Sequence, residues 1–305
     1  MKPKINPNFL AGALGMLLVF FAGLWVLFST GLRLNQVLTR SSYDSLFDFS
    51  MYHRPGIQDS EILIIYMDEA SHAELEQPFN APWDRSIHAD LIDVLTLAGA
   101  KAVVFDVLFT DPGMDPEADL ALAEAIERNG RVILAADYAY GTPVSSSDLL
   151  TQTETLTPPY AMFEEKALEW GVAQLKYEPD FTIRQHLHTF SSQNYPSLTW
   201  IAAEKLGYPV ARSPADRLKE RWVNYYGPPL TLPQVSYSYA LFGANPDLFR
   251  DKIIFIGSRP ITGFYGERRD EYRSPHSGWS EPYLFMPAVE VHATMFLNLL
   301  RQEWL

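Results

Sequence analysis

Residues 62–67, Ile-Leu-Ile-Ile-Tyr-Met, decide the fold class of this chain together with two later runs, residues 102–109 and 132–136. Each run is short and almost continuously apolar. Runs of this kind are typical of strands that are buried on both faces of a parallel sheet. We therefore predict three core strands from these segments.

Amphipathic helices are predicted between the three strands. Residues 86–98 carry an apolar stripe of helical spacing and are followed by Gly99, a favoured helix terminator. The second helix has Asp115 as its N-cap, Pro116 in its first position and Gly130 at its end. The alternation predicts a βαβαβ unit with right-handed crossovers, and so an α/β domain with a mostly parallel central sheet flanked by helices.

The rest of the chain adds elements to this unit. An antiparallel hairpin is predicted from residues 171–177 and 181–190, with its turn at residues 178–180. Residues 252–256 are nearly all apolar and predict a central strand. The other predictions are a strand at residues 222–226, a helix at 197–206 and a terminal helix at 289–301.

An uncharged apolar run at residues 9–28 precedes the predicted domain. At about 1.5 Å per residue such a helix covers roughly 30 Å, the thickness of the hydrocarbon core of a bilayer. A cleaved secretory signal is the alternative, but it would have a shorter apolar core followed closely by a small-residue cleavage site. We prefer the uncleaved transmembrane anchor.

The anchor predicts an orientation and a division of the chain. Lys2 and Lys4 favour a cytoplasmic N-terminus, although Arg33 and Arg40 on the other side weaken the bias. The predicted parts are a cytoplasmic tail (1–8), a transmembrane helix (9–28), a juxtamembrane segment (29–55) and an extracytoplasmic domain (56–305). This makes a single-pass protein of the cell membrane.

Composition excludes several classes of function. The formal net charge is −13 at pH 7 and the sequence has no Lys/Arg cluster, so we do not expect nucleic acid binding. The chain has no cysteine, which excludes disulfides, thiolate catalysis and Cys-ligated zinc and is compatible with a bacterial envelope. The sequence has no P-loop, kinase catalytic loop or metal-binding cyclase core, and no cofactor is expected.

Nine spaced motifs carry a family resemblance. They are YDSLFD at 43–48, ILIIYMDE at 62–69, PWDR at 82–85, GAKAVVFD at 99–106, DFTIR at 180–184, YPSL at 195–198, NYYGPP at 224–229, DKIIFIGS at 251–258 and PAVEVHA at 287–293. In this order they resemble the CHASE2 extracytoplasmic sensor domain over roughly residues 40–300. Ala288, where the family more often has glycine, and the long segment 259–286 depart from the pattern.

The resemblance implies a ligand-binding, signal-transducing domain. Members of the family typically pass a signal to a cytoplasmic output such as a nucleotide cyclase, a protein kinase or a diguanylate cyclase. The resemblance therefore implies a sensor. Because the sequence carries no output module, we expect that the chain is itself not an enzyme and needs an output module or a partner protein, and we expect a homo-oligomer such as a dimer.

A ligand site is predicted at the carboxyl ends of the strands, where open α/β sheets bind their ligands. The residues at or near these ends are Asp68, Glu69, Asp106, Asp137 and Ser258. Their carboxylates are suited to a cation or a cationic solute, with Arg85 or Arg184 balancing part of the charge. The structural alternative is that the aspartates cap helices and turns and that Asp106 is a satisfied buried acid.

Three other features have two interpretations each. Arg85 either binds an anion or stacks on Trp83 and pairs with Asp84. His186 and His188 would face one side of a strand as two metal ligands would, but no third ligand is near in sequence, which favours a structural role. The aromatic and arginine residues of segment 259–286 are suited to contact with a ligand or a neighbouring subunit.

Two other classes of function stay open. An envelope assembly or scaffold protein would use the same domain for self-association or partner binding. An enzyme would use Asp68 and Asp106 as an acid and base pair or as metal ligands, but the sequence has no nucleophile elbow and no HExxH motif.

Overall fold

The computed structural model describes residues 7–28, 33–49, 57–79, 81–140, 144–146, 149–151, 154–190, 193–259, 270–276 and 285–305. The chain divides into two compact units, residues 1–51 and residues 52–305. The first unit contains two helices, α1 (Pro7–Phe28) and α2 (Arg33–Phe49).

The structure describes the side chains of residues 14–25 within α1. Among the residues that it describes, no helix is both long enough and apolar enough to cross a membrane. The span predicted for residues 9–28 stays a prediction.

The second unit is a mixed α/β domain. Its helices are α3 (Glu69–Glu74), α4 (Arg85–Leu97), α5 (Pro116–Asn129), α6 (Ala161–Glu164), α7 (Leu198–Lys205), α8 (Pro214–Arg217), α9 (Tyr237–Phe242) and α10 (Ala288–Arg301). Short 3-10 helices occur at Ile57–Asp59, Pro209–Arg212 and Pro246–Leu248. Its strands are β1 (Ile62–Met67), β2 (Ala102–Leu108), β3 (Val132–Tyr140), β4 (Val144–Ser146), β5 (Leu149–Thr151), β6 (Glu154–Thr157), β7 (Glu169–Val172), β8 (Gln185–His186), β9 (Thr189–Phe190), β10 (Tyr195–Pro196), β11 (Arg221–Trp222), β12 (Gln234–Ser236), β13 (Ile253–Ser258), β14 (Glu271–Tyr272) and β15 (Met286–Pro287).

The central sheet is mostly parallel, as predicted. Its order is β12, β1, β13, β2, β3, and these neighbours all run parallel to one another. On its free side β3 pairs in parallel with β7 and, nearer its end, antiparallel with β6. The prediction that residues 252–256 form a central strand is confirmed, because β13 lies between β1 and β2.

Alternate residues of the buried strands face two different helical layers. Ile65, Phe105 and Ile256 belong to the core that includes α4 and α5, which we call the α4/α5 face. Ile64 and Phe255 belong to the core that includes α7 and α10, which we call the α7/α10 face. The continuous apolar runs are explained by this burial on both sides.

The two helices predicted between the first three strands both form, α4 within one residue of the predicted bounds 86–98. Asp84 caps α4 by accepting a hydrogen bond from the Ser86 backbone N–H at 2.9 Å. Asp115 does the same for α5 through the Glu117 N–H at 2.9 Å, and Gly130 ends that helix with a φ of 65°. This left-handed conformation is the one that glycine adopts at low cost.

The predicted hairpin at residues 171–190 is wrong, although its turn forms. The Phe181 N–H donates to the Glu178 carbonyl at 2.8 Å, but β7 pairs with β3 and β8 pairs antiparallel with β11. The physical reason is that the two arms have other partners: β7 completes the central sheet beside β3, and the Ile183 N–H donates to the Arg273 carbonyl at 3.1 Å. Gly171 also packs closely on α7, where a Cβ would lie 2.8 Å from the Leu198 Cα atom.

The strand predicted at residues 222–226 ends at Trp222. After Trp222, the backbone of Asn224 forms hydrogen bonds with a side chain and not with a neighbouring strand. Its N–H donates to the Asn298 Oδ1 atom at 2.7 Å, and its carbonyl accepts from the Asn298 Nδ2 atom at 3.0 Å. Asn298 lies on α10, so a side chain of this helix takes the place of the backbone hydrogen bonds that a partner strand would form.

Candidate functional site

Asp68 lies at the end of β1 and is fully engaged as a helix cap. Its Oδ1 atom accepts hydrogen bonds from the Ser71 N–H at 3.0 Å, the Ser71 hydroxyl at 2.6 Å and the Ser236 hydroxyl at 2.9 Å. These bonds join the ends of β1 and β12 to the start of α3. The next residue, Glu69, is exposed in the first turn of α3.

Arg85 binds a carboxylate of the neighbouring helix, rather than Asp84 or an indole face. Its Nη1 atom lies 2.5 Å from the Asp119 Oδ1 atom, and Nη2 donates to the Asp111 carbonyl. The guanidinium carbon lies 5.0 Å from the centre of the Phe163 ring. The contacts hold the start of α4 against the start of α5 on the α4/α5 face.

Asp137 and Ser258 do not join Asp106 in one cluster. Asp137 is exposed and pairs with Thr157 in the antiparallel part of the sheet. Ser258 ends β13 opposite Met67, one position beyond Gly257, which pairs with Asp106. Because successive side chains of a strand point to opposite faces, Ser258 and Asp106 lie on opposite sides of the sheet.

Asp106 faces α10 near the end of β2. Its Oδ1 atom lies 3.7 Å from the Nε2 atom of His292, and its side chain is 12% exposed. Burial, and then the negative charge of Asp270, raise the pKa of Asp106 well above its usual value. A buried carboxyl beside a second carboxylate favours its protonated form unless a cation neutralises the pair.

His292 is a neutral neighbour of Asp106. Its Nε2 atom lies 2.9 Å from the Ala173 carbonyl, which can only accept, so Nε2 carries the proton. Burial lowers the pKa of His292 to about 4, so the contact with Asp106 is not an ion pair at neutral pH. The Nδ1 atom is buried and has no hydrogen-bond partner among the described residues.

A second ionisable pair involves Glu290, two residues before His292 on the same helix. The Glu290 Oε2 atom accepts from the Tyr66 hydroxyl at 3.1 Å and from the Leu230 N–H at 2.9 Å. Burial raises the pKa of Glu290 to about 7, although backbone N–H groups of residues 230–232 oppose the shift. Burial, and then Glu290, raise the pKa of Tyr66 well above its usual value.

A glycine between the two pairs brings α10 close to the sheet. Tyr66, Gly257 and Asp106 lie in register on β1, β13 and β2. A Cβ atom at Gly257 would lie 2.6 Å from the Cβ atom of Val289, so only glycine allows this approach. The first turns of α10 therefore place Glu290 over β1 and His292 over β2, and we call these four ionisable groups with Gly257 the strand–helix site.

Comparison with known families gives the identity of the domain. The model of the CHASE2 domain family matches residues 16–305. The chain belongs to the CHASE2 family. CHASE2 is a family of extracytoplasmic, sensor-type domains. No curated protein and no solved structure matches the chain significantly.

Sequence reasoning missed three members of the strand–helix site in this CHASE2 domain: Tyr66, Glu290 and His292. All three lie in motifs that carry the family resemblance, ILIIYMDE and PAVEVHA. The signal that could have found Glu290 and His292 is their polarity within a helix that is otherwise apolar from Ala288 to Ala293. Their pairing with particular strands requires the tertiary structure.

The other predicted features of this CHASE2 domain have mixed outcomes. His186 and His188 are buried with ring centroids 4.5 Å apart, and burial lowers the pKa of both, that of His188 to about 3. In the described part of the chain, no group of three potential ligands could hold a metal ion. Much of segment 259–286, at residues 260–269 and 277–284, lies outside the described residues.

Proposed function

We propose that this CHASE2 domain binds an extracytoplasmic ligand at Asp106 and passes the change to α10. One observation carries the proposal: Glu290 and His292 contact Tyr66 and Asp106, so the first turns of α10 touch the ends of two core strands through ionisable groups. A charge change at Asp106 alters the contact with His292, and α10 is the last helix of the domain.

The ligand in this proposal is a cation or a cationic solute. The raised pKa of Asp106 and the nearby Asp270 support it, because a bound positive charge would remove the repulsion between the two carboxylates. Asp106 is also partly accessible, with 12% of its side chain exposed. The bonds of Asp68 and Arg85 favour structural roles for those two residues.

The wider setting of the domain is also a proposal. We propose that residues 9–28 anchor the protein in the cell membrane with a cytoplasmic N-terminus, supported by the uncharged apolar run. The domain is then extracytoplasmic, is not an enzyme, forms a dimer, and acts on a cytoplasmic output such as a nucleotide cyclase or a kinase. The sensor character of the family supports the role in signalling.

The test follows hydrogen exchange in α10 when candidate cations are added. The full chain in nanodiscs is titrated with Ca²⁺, Mg²⁺ and putrescine, and exchange is measured for peptides that cover residues 288–301. We expect at least one of the three cations to change the protection of α10. The Asp106→Asn variant should lose this response while its circular dichroism spectrum stays unchanged.

Asp137→Asn is the matched control, because Asp137 is an exposed aspartate of the same sheet. It should respond as the wild type does. Unchanged exchange with all three cations, or a full response in folded Asp106→Asn, would refute the proposal. The mass of the assembly in the same nanodiscs tests the dimer independently.

A further inference from the structure

A cavity of about 360 Å³ lies beside α7, away from the strand–helix site. Its lining includes Trp200 and Glu204 of α7, Tyr208 after that helix, and Arg212 and Arg217 of the next two short helices. This volume falls at the lower end of the range for small-molecule sites. It suits a compact ligand.

The two arginines of this cavity have no acidic partner among the described residues. Other arginines of the domain do, for example Arg128 with Asp93 and Arg301 with Glu61. The Nε atom of Arg217 is buried and has no hydrogen-bond partner in the described part of the chain. A buried donor without an acceptor is costly, so an acceptor in the cavity would stabilise the domain.

The remaining wall neutralises only part of this charge, because Glu204 is the one acid among the lining residues. The Glu204 Oε2 atom accepts a hydrogen bond from the Trp200 indole N–H at 3.0 Å, which holds the carboxylate against that ring. Lys101 adds positive charge behind Tyr208, because its Nζ atom donates to the Tyr208 hydroxyl at 2.7 Å and lies 4.6 Å from the ring centre. With two arginines and one glutamate in its lining, the cavity has a positive local balance in a chain of net charge −13.

We propose that this cavity binds a small organic anion. The carboxylate or phosphate group of the ligand lies between Arg212 and Arg217, whose guanidinium groups match the oxygen pairs of both acids. The apolar body of the ligand packs on Trp200, Tyr208 and Ala211, which lie in the same wall. This anion site is separate from Asp106, and the proposal does not depend on the proposed cation response.

The test uses calorimetric titration of the full chain in a neutral detergent. The probes are benzoate, phenyl phosphate and, as an uncharged control, benzyl alcohol. We expect benzoate or phenyl phosphate to bind with a Kd below about 1 mM, and added salt to weaken the binding. The tighter of the two anions identifies the acid class that the arginines prefer.

Variants connect the binding to the cavity. Arg217→Gln and Arg212→Gln keep much of the side-chain length but remove the charge, and each should weaken binding roughly 10-fold to 100-fold, as expected for hydrogen bonds to a charged group. Arg131→Gln is the control, because Arg131 is exposed outside this cavity. It should leave the Kd unchanged, and so should Asp106→Asn.

Three outcomes would overturn the anion site. The first is that neither anion binds at about 10 mM, a concentration beyond the weakest affinity expected of such a site. The second is that benzyl alcohol binds as tightly as the anions, and the third is an unchanged Kd in the Arg212→Gln/Arg217→Gln double variant. Because Asp106→Asn should not affect these titrations, failure here is distinguishable from failure of the cation response.

Discussion

The two faces of the central sheet are built differently. On the α4/α5 face, helix residues such as Leu91 and Leu122 pack on apolar strand side chains, and the buried His88 is satisfied by the Tyr237 hydroxyl at 2.8 Å. On the α7/α10 face, α10 is buried from Ala288 to Leu299 yet carries Glu290, His292 and Asn298. A helix that is buried all round is ordinarily apolar throughout.

The difference indicates a division of labour. The α4/α5 face is a scaffold that depends on the volume and shape of its apolar side chains. The α7/α10 face places ionisable groups where their charge state affects how α10 sits on the sheet. The following predictions separate these two behaviours.

The largest expected effect is a cavity in the scaffold. Leu91→Ala on α4 removes a fully buried side chain and should lower the free energy of unfolding by about 2–5 kcal/mol. Leu97→Ala, on the same helix but 88% exposed, should change it by less than about 0.5 kcal/mol. Urea denaturation measures both, and equal effects would contradict the assigned core.

The next effect is a pH dependence that belongs to Glu290. Its pKa is raised to about 7 in the folded protein from an ordinary value of 4.5, so between these values the folded state binds more protons than the unfolded state. The contribution of Glu290 to the free energy of unfolding therefore decreases as the pH rises through this window. The loss is about 3 kcal/mol by the usual linkage relation. His292 has a lowered pKa and contributes the opposite slope between pH 4 and 6.5.

Glu290→Gln isolates this contribution. The difference in unfolding free energy, wild type minus variant, should fall between pH 4.5 and pH 7 and then level off. Thermal unfolding at a series of pH values measures it, and the His292 slope cancels because both proteins contain that residue. A difference that is flat with pH would show that Glu290 does not titrate in this range.

A smaller effect tests the close approach of α10. Gly257→Ala places a Cβ atom 2.6 Å from the Val289 Cβ atom and should destabilise the domain by about 1–3 kcal/mol, with faster hydrogen exchange in α10. Gly243→Ala is the control, because its new Cβ atom meets the half-exposed Tyr239 ring at 3.0 Å. If both variants behave alike, Gly257 is not needed for the packing of α10.

The smallest effect concerns the ion pair on the scaffold face. Arg85→Gln leaves the buried Asp119 carboxylate with the Gly113 N–H at 2.9 Å as its described partner, and should cost about 1–2 kcal/mol. Arg128→Gln breaks an exposed pair with Asp93 and should leave the unfolding free energy unchanged. If the cation response of α10 changes in Arg85→Gln, the structural role assigned to Arg85 is wrong and this residue takes part in the ligand site.

Local sequence signals predicted the scaffold well. The cap Asp115, the terminator Gly130 and the central strand that begins near Ile253 all depend on neighbouring residues or on continuous burial. The predicted hairpin is wrong because the pairing of β7 with β3 joins distant segments and is not visible in the local pattern.

The candidate site was predicted only in part. Asp106 was found from its position near a strand end, but the alternation of side chains separated it from Ser258. The sequence did not predict Tyr66, Glu290 and His292, because their proximity depends on how α10 packs across Gly257. Sequence position locates strand ends, whereas pairing between distant segments is set by packing.

The central place of β13 has a consequence for the order of folding. β1 and β2 each use β13 as a neighbour, and Ile62 pairs with Ile253, which lies far along the chain. Until residues 253–258 emerge from the ribosome, both earlier strands have an open edge, and such edges are prone to wrong pairing. We expect ribosome-bound chains that stop at Arg250 to remain protease-sensitive and longer ones to become resistant. Closure of the sheet is then a long-range event, so the edges of β1 and β2 need protection from wrong pairing until residues 253–258 have been made.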